Sequence, residues 1–220
     1  MNQTIQKVIA IDGPAGSGKS TIAKKLANIL NITYIDTGSM FRSIGVYQKK
    51  HQIENLGQVV SSFEMNYIGK ENHLIEINGI DMTHEIRDAE AGKLASIVSQ
   101  VPEVRSLLAQ VQRDLVTKNY SVMEGRDLGT VIFPHAFIKV YLTASIEERA
   151  LRRQKELEQK GEPISFEEIK KQIVDRDYND MNREIAPLKK AQDAIEIDTT
   201  GLSLEEIVSQ IVDIFNKRKK

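Results

Sequence analysis

The sequence predicts an α/β fold, in which a parallel sheet of about five strands is flanked by helices. Strand-like and helix-like segments alternate through the first 50 residues and return in the second half of the chain. Such alternation is typical of a parallel sheet wrapped by helices. Between them, three short strand-like segments predict a small antiparallel insert. A chain of 220 residues suits one domain with such an insertion.

The first 50 residues contain two strand–helix pairs. Residues 8–11 form a short apolar run that ends at Asp-Gly, which indicates a buried strand leaving the sheet. Residues 19–30 carry apolar side chains at helical spacing. A second strand is expected over residues 33–35 and a second helix over residues 39–49. This order predicts parallel strands joined by helices.

The insert is predicted from three short strands, at residues 63–68, 73–77 and 80–83. Asn78-Gly79 joins the last two strands and is a strong hairpin signal, because both residues tolerate the positive φ of a tight turn. We therefore assign residues 61–87 to the insert and residues 1–60 and 88–220 to the core.

The second half is predicted to hold longer helices and three strands. We expect helix over residues 89–117 with a break near Pro102, and strands over residues 121–123, 137–142 and 194–197. Three serines mark helix starts, because a serine caps the first turn and a glutamate three residues on reaches back. These pairs are Ser145…Glu148, Ser165…Glu168 and Ser203…Glu206. The apolar face of the last helix is assigned to core packing: Leu204, Ile207, Val208, Ile211, Val212 and Phe215.

The composition limits the classes of partner. Lys and Arg total 30 against 31 Asp and Glu, so no global field attracts nucleic acid or anionic lipid, and any bound anion needs local cations. The sequence has no cysteine, which excludes disulfides, thiolate zinc sites and thiol nucleophiles. Its short polar start and the lack of a long apolar run predict neither a secretory signal nor a membrane span. We expect a cytoplasmic monomer without nucleic-acid or membrane partners.

Residues 13–20, Gly-Pro-Ala-Gly-Ser-Gly-Lys-Ser, match the pattern G-x-x-x-x-G-K-[ST] between a strand and a helix. In this P-loop, backbone N–H groups and the helix N-terminus cradle a polyphosphate. Lys19 would reach the β- and γ-phosphates of ATP, and the Ser20 hydroxyl would ligate Mg²⁺. The alternative is a glycine-rich turn without a ligand. Asp12, before the loop, would support either the loop or the water shell of the metal. The predicted ATP-binding residues are Gly13, Pro14, Ala15, Gly16, Ser17, Gly18, Lys19, Ser20 and Thr21.

A P-loop alone does not separate a kinase from a GTP switch or an ATP-driven motor. The Asn-Lys-x-Asp motif of guanine switches is absent from the sequence. Asp198-Thr-Thr-Gly201 matches another switch motif, but it follows the last predicted strand and is interpreted as coincidence. A motor usually has a long apolar strand that ends in an acidic pair, whereas Glu124 is followed by Gly125-Arg126-Asp127.

Scattered arginines favour a kinase, because an acceptor phosphate and a γ-phosphate in transfer both need cations. Residues 13–20, 36–42 and 124–130 follow strand ends, where ligands gather in open α/β sheets. Arg176, Asp180 and Arg183 are spaced to share a helix face, although a surface salt-bridge ladder would look the same. Arg149 and Arg153 also share a face and would close over the triphosphate. The arginines in question are Arg42, Arg105, Arg126, Arg149, Arg152, Arg153, Arg176 and Arg183.

The sequence resembles the bacterial cytidylate kinase family nearly from end to end. Gly-Arg-Asp-x-Gly-Thr at residues 125–130 and Asn-Arg…Ala-Pro-Leu at residues 182–188 are far more specific to this family than the P-loop. The predicted insert also matches the family's enlarged monophosphate-binding domain. The remaining matching stretches are residues 9–20, Asp-Thr-Gly-Ser-Met-Phe-Arg at 36–42 and Arg-Asp-Tyr-Asn-Asp at 176–180.

The resemblance implies transfer of a phosphoryl group from ATP to CMP or dCMP with Mg²⁺. It implies that Ser96, Arg105 and Asp127 read the cytosine, whose amino group a carboxylate can accept. It further implies that Arg42, Arg126 and Arg183 hold the acceptor phosphate and that Asp180, beside Arg176, binds the sugar. It also implies a helical lid over about residues 149–165 that carries Arg149 and Arg153. Lys19, Arg126, Arg149, Arg153 and Arg183 form the implied catalytic set.

Two positions depart from the usual family pattern. Glu124 stands where many relatives have aspartate, and Thr37, in the acceptor site, stands where many have serine. Two other functions remain open from the sequence. One is a P-loop kinase that uses UMP or AMP as acceptor, and the other is a nucleotide-binding regulator without catalysis.

Overall fold

A computed structural model of the protein describes residues 5–68, 74–87, 89–116, 119–159, 161 and 164–219. Within them lie eight strands: β1 (Gln6–Asp12), β2 (Thr33–Asp36), β3 (Met65–Ile68), β4 (Leu74–Ile77), β5 (Ile80–Asp81), β6 (Ser121–Gly125), β7 (Ala136–Thr143) and β8 (Ile195–Asp198). The same residues form eight α-helices: α1 (Lys19–Leu30), α2 (Thr37–Lys50), α3 (Leu56–Val59), α4 (Ala89–Val98), α5 (Pro102–Asp114), α6 (Ile146–Gln159), α7 (Phe166–Asn182) and α8 (Leu204–Lys219).

The main sheet is parallel and has five strands in the order β2-β6-β1-β7-β8. The predicted α/β fold with a sheet of this size is therefore confirmed. β1 lies in the centre, where it pairs with β6 on one side and β7 on the other. Side chains from Val8 onward are buried on both faces, which explains the continuous apolar run in the sequence.

Two apolar cores cover the two faces of this sheet. Because successive side chains of a strand point to opposite faces, Ile9 and Ile11 pack in one core, whereas Val8 and Ala10 pack in the other. The first core includes residues of α1 and α8, with Phe215 among the α8 residues predicted to be buried. The second core includes residues of α2, α5 and the insert. The sheet is thus buried between helices, as a parallel sheet requires.

The insert forms the predicted antiparallel sheet, in the order β3-β4-β5. Asn78 and Gly79 both have positive φ, 52° and 75°, as the hairpin signal predicts. The strands are shorter than expected, and the predicted start at residue 73 lies outside the described residues. The Tyr67 hydroxyl accepts from Asp36 N at 2.9 Å, and Asn78 Nδ2 donates to the Tyr47 hydroxyl at 3.2 Å. The insert is therefore fixed against the end of β2 and against α2.

Capping side chains set several helix boundaries. Oγ of Ser145, Ser165 and Ser203 accepts from the N–H of the glutamate three residues on, at 3.2, 3.3 and 3.2 Å, which confirms the three predicted helix starts. The helix expected from residue 39 instead begins at Thr37, because the Asp36 carboxylate accepts from Ser39 N at 3.0 Å and caps the first turn.

Several short elements were not predicted. They are α3, two 3₁₀ turns at Val60–Ser62 and Glu85–Arg87, and a π-helical turn at Leu128–Ile132. The break predicted near Pro102 within residues 89–117 is confirmed, because α4 ends at Val98 and Pro102 begins α5, and residue 117 lies outside the described residues. No helix in the described ranges has the length and apolar character needed to cross a membrane.

We expect Ser203→Ala to lower the free energy of unfolding by about 1 kcal/mol. At this cap the bonding is reciprocal, because Ser203 N also donates to the Glu206 carboxylate at 2.8 Å. Urea denaturation followed by circular dichroism measures the change. Ser106→Ala is the matched control, because this exposed hydroxyl only bonds the Pro102 carbonyl of its own helix. An equal loss of unfolding free energy in Ser203→Ala and Ser106→Ala would contradict the capping role of Ser203.

Candidate active site

A large cleft opens at the carboxyl edge of the parallel sheet, where β1, β6 and β2 end side by side. The structure brings most of the predicted site residues into its lining: Ala15, Gly16, Gly18, Lys19, Ser20, Thr21, Thr37, Arg42, Ser96, Arg126, Asp127, Arg153, Arg176, Asp180 and Arg183. Five others lie behind that lining and contact it or its loop: Gly13, Pro14, Ser17, Arg105 and Arg149.

The loop between β1 and α1 needs glycine at specific points. Gly13, Gly16 and Gly18 have φ values of 154°, 73° and 86°. A Cβ on Gly13 would lie 2.2 Å from the Leu142 carbonyl oxygen, and one on Gly16 would lie 3.1 Å from the Arg149 carbonyl oxygen. A side chain at either position would therefore displace backbone, so these glycines let the loop pack tightly at the end of the sheet.

Lys19 is folded back on this loop. Its Nζ donates to the Pro14 carbonyl at 2.6 Å and to Ser17 Oγ at 3.3 Å, and only 6% of the residue is exposed. Burial, together with the positive charge of Arg126, holds the pKa of Lys19 well below its usual value. A cation in this position is incompletely compensated by protein groups, which favours an anionic ligand in the loop.

Glu124, at the end of β6, joins the loop to β2. Its carboxylate accepts from Ser20 Oγ at 2.8 Å and from the Tyr34 hydroxyl at 2.5 Å. Burial and the negative charge of Asp36 raise the pKa of Glu124, and burial beside Glu124 also raises the pKa of Tyr34. Tyr34 was not predicted as a site residue, because the sequence alone does not show that β2 lies next to β6.

The side-chain oxygen atoms of Ser20 and Glu124 are suitable ligands for Mg²⁺. This cation prefers oxygen ligands and is usually held by one or two protein groups together with water and substrate phosphates. Within the described residues, no group of three or more His, Cys, Asp or Glu residues could enclose a metal ion.

A chain of alternating charges crosses the other half of the cleft. Asp127 pairs with Arg105 at 2.5 Å and with Arg183 at 3.4 Å, while Asp180 pairs with Arg126 at 2.8 Å and with Arg183 at 3.7 Å. Side-chain exposure is 9% or less for Arg105, Asp127, Asp180 and Arg183. The surface-ladder alternative is therefore wrong. Arg183 is the C-cap residue of α7 and pairs with Asp180 from that position.

Arg176 adds a positive charge that the protein leaves incompletely satisfied. Its Nε is buried and has no hydrogen-bond partner in the described part of the chain. Burial and the nearby charge of Arg126 lower the pKa of Arg176 to about 10. The pKa of Asp180 lies below its usual value. Burial alone would raise it, but the positive charges of Arg126 and Arg176 outweigh that effect. Together with Arg42, which pairs with Asp36 at 2.7 Å, these arginines make this half a candidate phosphate site.

The structure separates Arg149 from Arg153, which were expected to act together. Arg149 is buried, pairs with Asp177, and donates to the carbonyls of Ala15 at 2.8 Å and Ala144 at 3.1 Å. The other oxygen of Asp177 accepts from Ala15 N at 2.9 Å. Arg149 thus supports the loop from behind, whereas the more exposed Arg153 lines the cleft and pairs with Glu156 at 3.0 Å.

One residue and one segment near the site were not among the predicted site residues. Asp177 lies in the family-matching stretch at residues 176–180 but was not predicted as a site residue, because its partner Arg149 lies on another helix. Asp198-Thr-Thr-Gly201, interpreted as a coincidental match to a switch motif, is contacted by Arg152 of the cleft, which donates to Thr199 Oγ1 at 2.9 Å and to the Thr199 carbonyl at 2.8 Å. This segment therefore packs beside the arginines of α6.

A P-loop that faces a cluster of arginines across one cleft is typical of a P-loop kinase. The family model described as cytidylate kinase matches residues 9–217. The chain belongs to the cytidylate kinase family.

Relatives support the same assignment over the whole chain. The cytidylate kinase of Fervidobacterium nodosum is 47% identical over 96% of both chains, and that of Carboxydothermus hydrogenoformans is 44% identical over 96% of this chain and 97% of the relative. A solved structure of an uncharacterized protein from Eubacterium ventriosum, 15% identical, aligns with a TM-score of 0.53 over 96% of this chain and 99% of that one, which shows the fold alone.

Proposed function

We propose that this chain phosphorylates CMP and dCMP with ATP, as a cytidylate kinase, and works as a cytoplasmic monomer. The observation that carries the proposal is the chain of buried charges Arg105, Asp127, Arg183, Asp180 and Arg126, which faces the Lys19 loop across one cleft. Such a chain offers carboxylates for a base and a sugar, and cations for a phosphate. Family membership gives the acceptor as CMP.

The ATP half of the site follows from the loop. Backbone N–H groups of residues 13–21 and the start of α1 would hold the phosphates, with Lys19 turning from the Pro14 carbonyl to the β- and γ-phosphates. Ser20 and Glu124 would hold Mg²⁺, which neutralises phosphate charge when it is bound. Because Tyr34 bonds Glu124, the carboxylate is already oriented toward Ser20.

The acceptor half follows from the charges. Arg42, Arg126 and Arg183 would hold the CMP phosphate, and Asp180 beside Arg176 would bind the sugar hydroxyls. The base would lie against Asp127, with Ser96 and Arg105 next to it and Thr37 at the nearby end of β2. Asp127 is already oriented by Arg105 and Arg183, so it offers a fixed acceptor to the cytosine amino group.

Phosphoryl transfer would be direct and in line. An oxygen of the CMP phosphate attacks the γ-phosphorus, the bond from that phosphorus to the β–γ bridging oxygen breaks, and ADP leaves. The protein contributes positioning and charge stabilisation by Lys19, Arg126, Arg183 and Arg153. Arg149, assigned to catalysis from the sequence, would act through the loop that it supports.

Closure of the insert and of the lid over the cleft would exclude water from this reaction. We assign the insert, about residues 61–87, to the acceptor side and the lid, about residues 149–165, to the ATP side. Residues 69–73, 160, 162 and 163 within these ranges lie outside the described part of the chain. Exclusion of water would limit ATP hydrolysis in the absence of the acceptor.

The acceptor specificity tests this proposal. Uracil places an oxygen where cytosine has its amino group. The Asp127 carboxylate would then face a second hydrogen-bond acceptor, at a cost of about 1–3 kcal/mol. We expect kcat/KM for CMP to exceed that for UMP by about 5- to 150-fold, and Asp127→Asn to reduce that ratio. A coupled assay of ADP release with CMP, dCMP, UMP, AMP and GMP measures it.

Asp114→Asn provides the control, because Asp114 is an exposed carboxylate of α5 that bonds Gln110. This variant should keep the preference for CMP. Equal use of CMP and UMP by the wild-type protein would refute the role of Asp127. Faster phosphorylation of AMP or GMP than of CMP would refute the proposed acceptor.

A further inference from the structure

Asp12 is a buried carboxylate that the proposed reaction does not use. It is the last residue of β1 and only 4% of it is exposed. Its Oδ1 accepts from Leu128 N at 3.0 Å, and its Oδ2 accepts from Gly129 N at 2.8 Å. Both oxygens are therefore bound to backbone N–H groups of the π-helical turn that follows β6. Of the two roles that the sequence left open for Asp12, the structure favours support over metal binding.

Asp12 is joined on one side to the ATP loop. Gly13 follows it directly and fits against the Leu142 carbonyl, where a Cβ would lie only 2.2 Å away. The backbone at this point has little room to shift independently of the sheet. Asp12 therefore stands directly between the sheet and the loop that would hold ATP.

On the other side Asp12 is joined to the acceptor site. Leu128 and Gly129 come directly after Arg126 and Asp127, which carry the ion pairs to Asp180 and Arg105. The position of this turn therefore fixes the backbone from which the Arg126 and Asp127 side chains extend. Burial raises the pKa of Asp12 to about 6, while the charges of Asp127 and Lys19 also act on it in opposite directions, which places the carboxylate near both halves of the site.

We propose that Asp12 is a positioning residue that couples the two substrate sites, so that ATP in the loop strengthens CMP binding and CMP strengthens ATP binding by the same factor. This inference rests on the proposed function. Only a carboxylate offers two equivalent acceptors to two N–H donors. Asparagine would turn an amide N–H₂ toward one of them and lose that bond.

The test is equilibrium binding of CMP by calorimetry, with and without a non-hydrolysable ATP analogue and Mg²⁺. In the wild-type protein we expect the analogue to lower the Kd of CMP by about 5-fold or more, within the usual range of coupling between sites. In Asp12→Asn we expect the analogue to change the Kd of CMP by less than about 2-fold. The reverse titration must give the same factors, because coupling of two equilibria is reciprocal.

Asp193→Asn is the control for a change near the turn at Leu128 and Gly129 that does not involve Asp12. Asp193 accepts from Lys139 Nζ at 2.8 Å, and the Lys139 side chain packs beside Gly129. This variant removes a mostly exposed carboxylate charge and leaves the bonds of Asp12 intact, so it should keep the coupling. If Asp12 only stabilised the fold, Asp12→Asn would lower the Tm and leave the coupling factor unchanged, which would overturn the inference.

Gly129→Ala is a second variant in case Asp12→Asn fails to fold. Its methyl group would lie 3.1 Å from Lys139 Cδ, a tight contact, and 3.4 Å from Asp12 Oδ2, so it crowds the turn that donates to Asp12. We expect a reduced coupling factor, and a wild-type factor in a folded Gly129→Ala protein would contradict the inference. Absence of coupling in the wild-type protein would also overturn it. Failure of the wild-type protein to bind CMP at all would instead refute the proposed function.

Discussion

Replacing Lys19 with alanine should abolish nearly all phosphoryl transfer, with kcat/KM reduced by at least about 10³-fold. Its Nζ lies on the loop that would hold the β- and γ-phosphates and is the only side-chain cation of residues 13–20. Release of ADP in the presence of CMP measures the loss. Full activity of Lys19→Ala would remove the loop from the mechanism.

The same variant should not be less stable than the wild-type protein. Burial that lowers the pKa of Lys19 shows that the folded protein disfavours its charge, so removal of the ammonium group relieves that cost. We therefore expect an unchanged or higher Tm for Lys19→Ala. Lys25→Ala is the control on the same helix, because Lys25 forms a surface pair with Glu205, and it should retain activity within about 2-fold.

Replacing Arg149 with alanine should lower the free energy of unfolding by about 3–5 kcal/mol. This change leaves the buried Asp177 carboxylate without its cation and the Ala15 carbonyl without its donor. Urea denaturation at neutral pH measures the loss. The KM for ATP should rise as well, because Ala15 belongs to the loop.

Arg153→Ala, on the same helix, is the control for stability. Its ion pair with Glu156 is partly exposed and should contribute less than about 1 kcal/mol. A double variant, Arg149→Ala with Asp177→Asn, should be less destabilised than the sum of the two single variants, because the two side chains interact directly. Equal stability of Arg149→Ala and Arg153→Ala would contradict the role of Arg149 behind the loop.

Local signals in the sequence were sufficient for the elements that depend on neighbouring residues. The P-loop is contiguous, the helix caps join residues three apart, and Asn78-Gly79 forms the turn that both residues favour. The parallel sheet followed from the alternation of apolar segments. Each of these patterns has a cause within a few residues, which is why each could be predicted.

Contacts between distant segments could not be predicted in the same way. Asp12 bonds N–H groups 116 and 117 positions away, and Ser20 bonds Glu124 over 104 positions. Arg149 was assigned to the triphosphate because its spacing to Arg153 suggested a shared face. Its partner Asp177 lies on another helix, so the sequence could not show that its charge is already compensated.

The attachment of the insert suggests how acceptor choice could change during evolution. Tyr67 bonds the backbone of Asp36, and Asn78 bonds Tyr47, so the insert is fixed to the β2–α2 side of the cleft. The triphosphate loop begins from β1, beyond β6 in the sheet. The insert therefore resembles an exchangeable module. Its replacement would remodel the proposed acceptor side of the cleft and leave the loop that follows β1 intact.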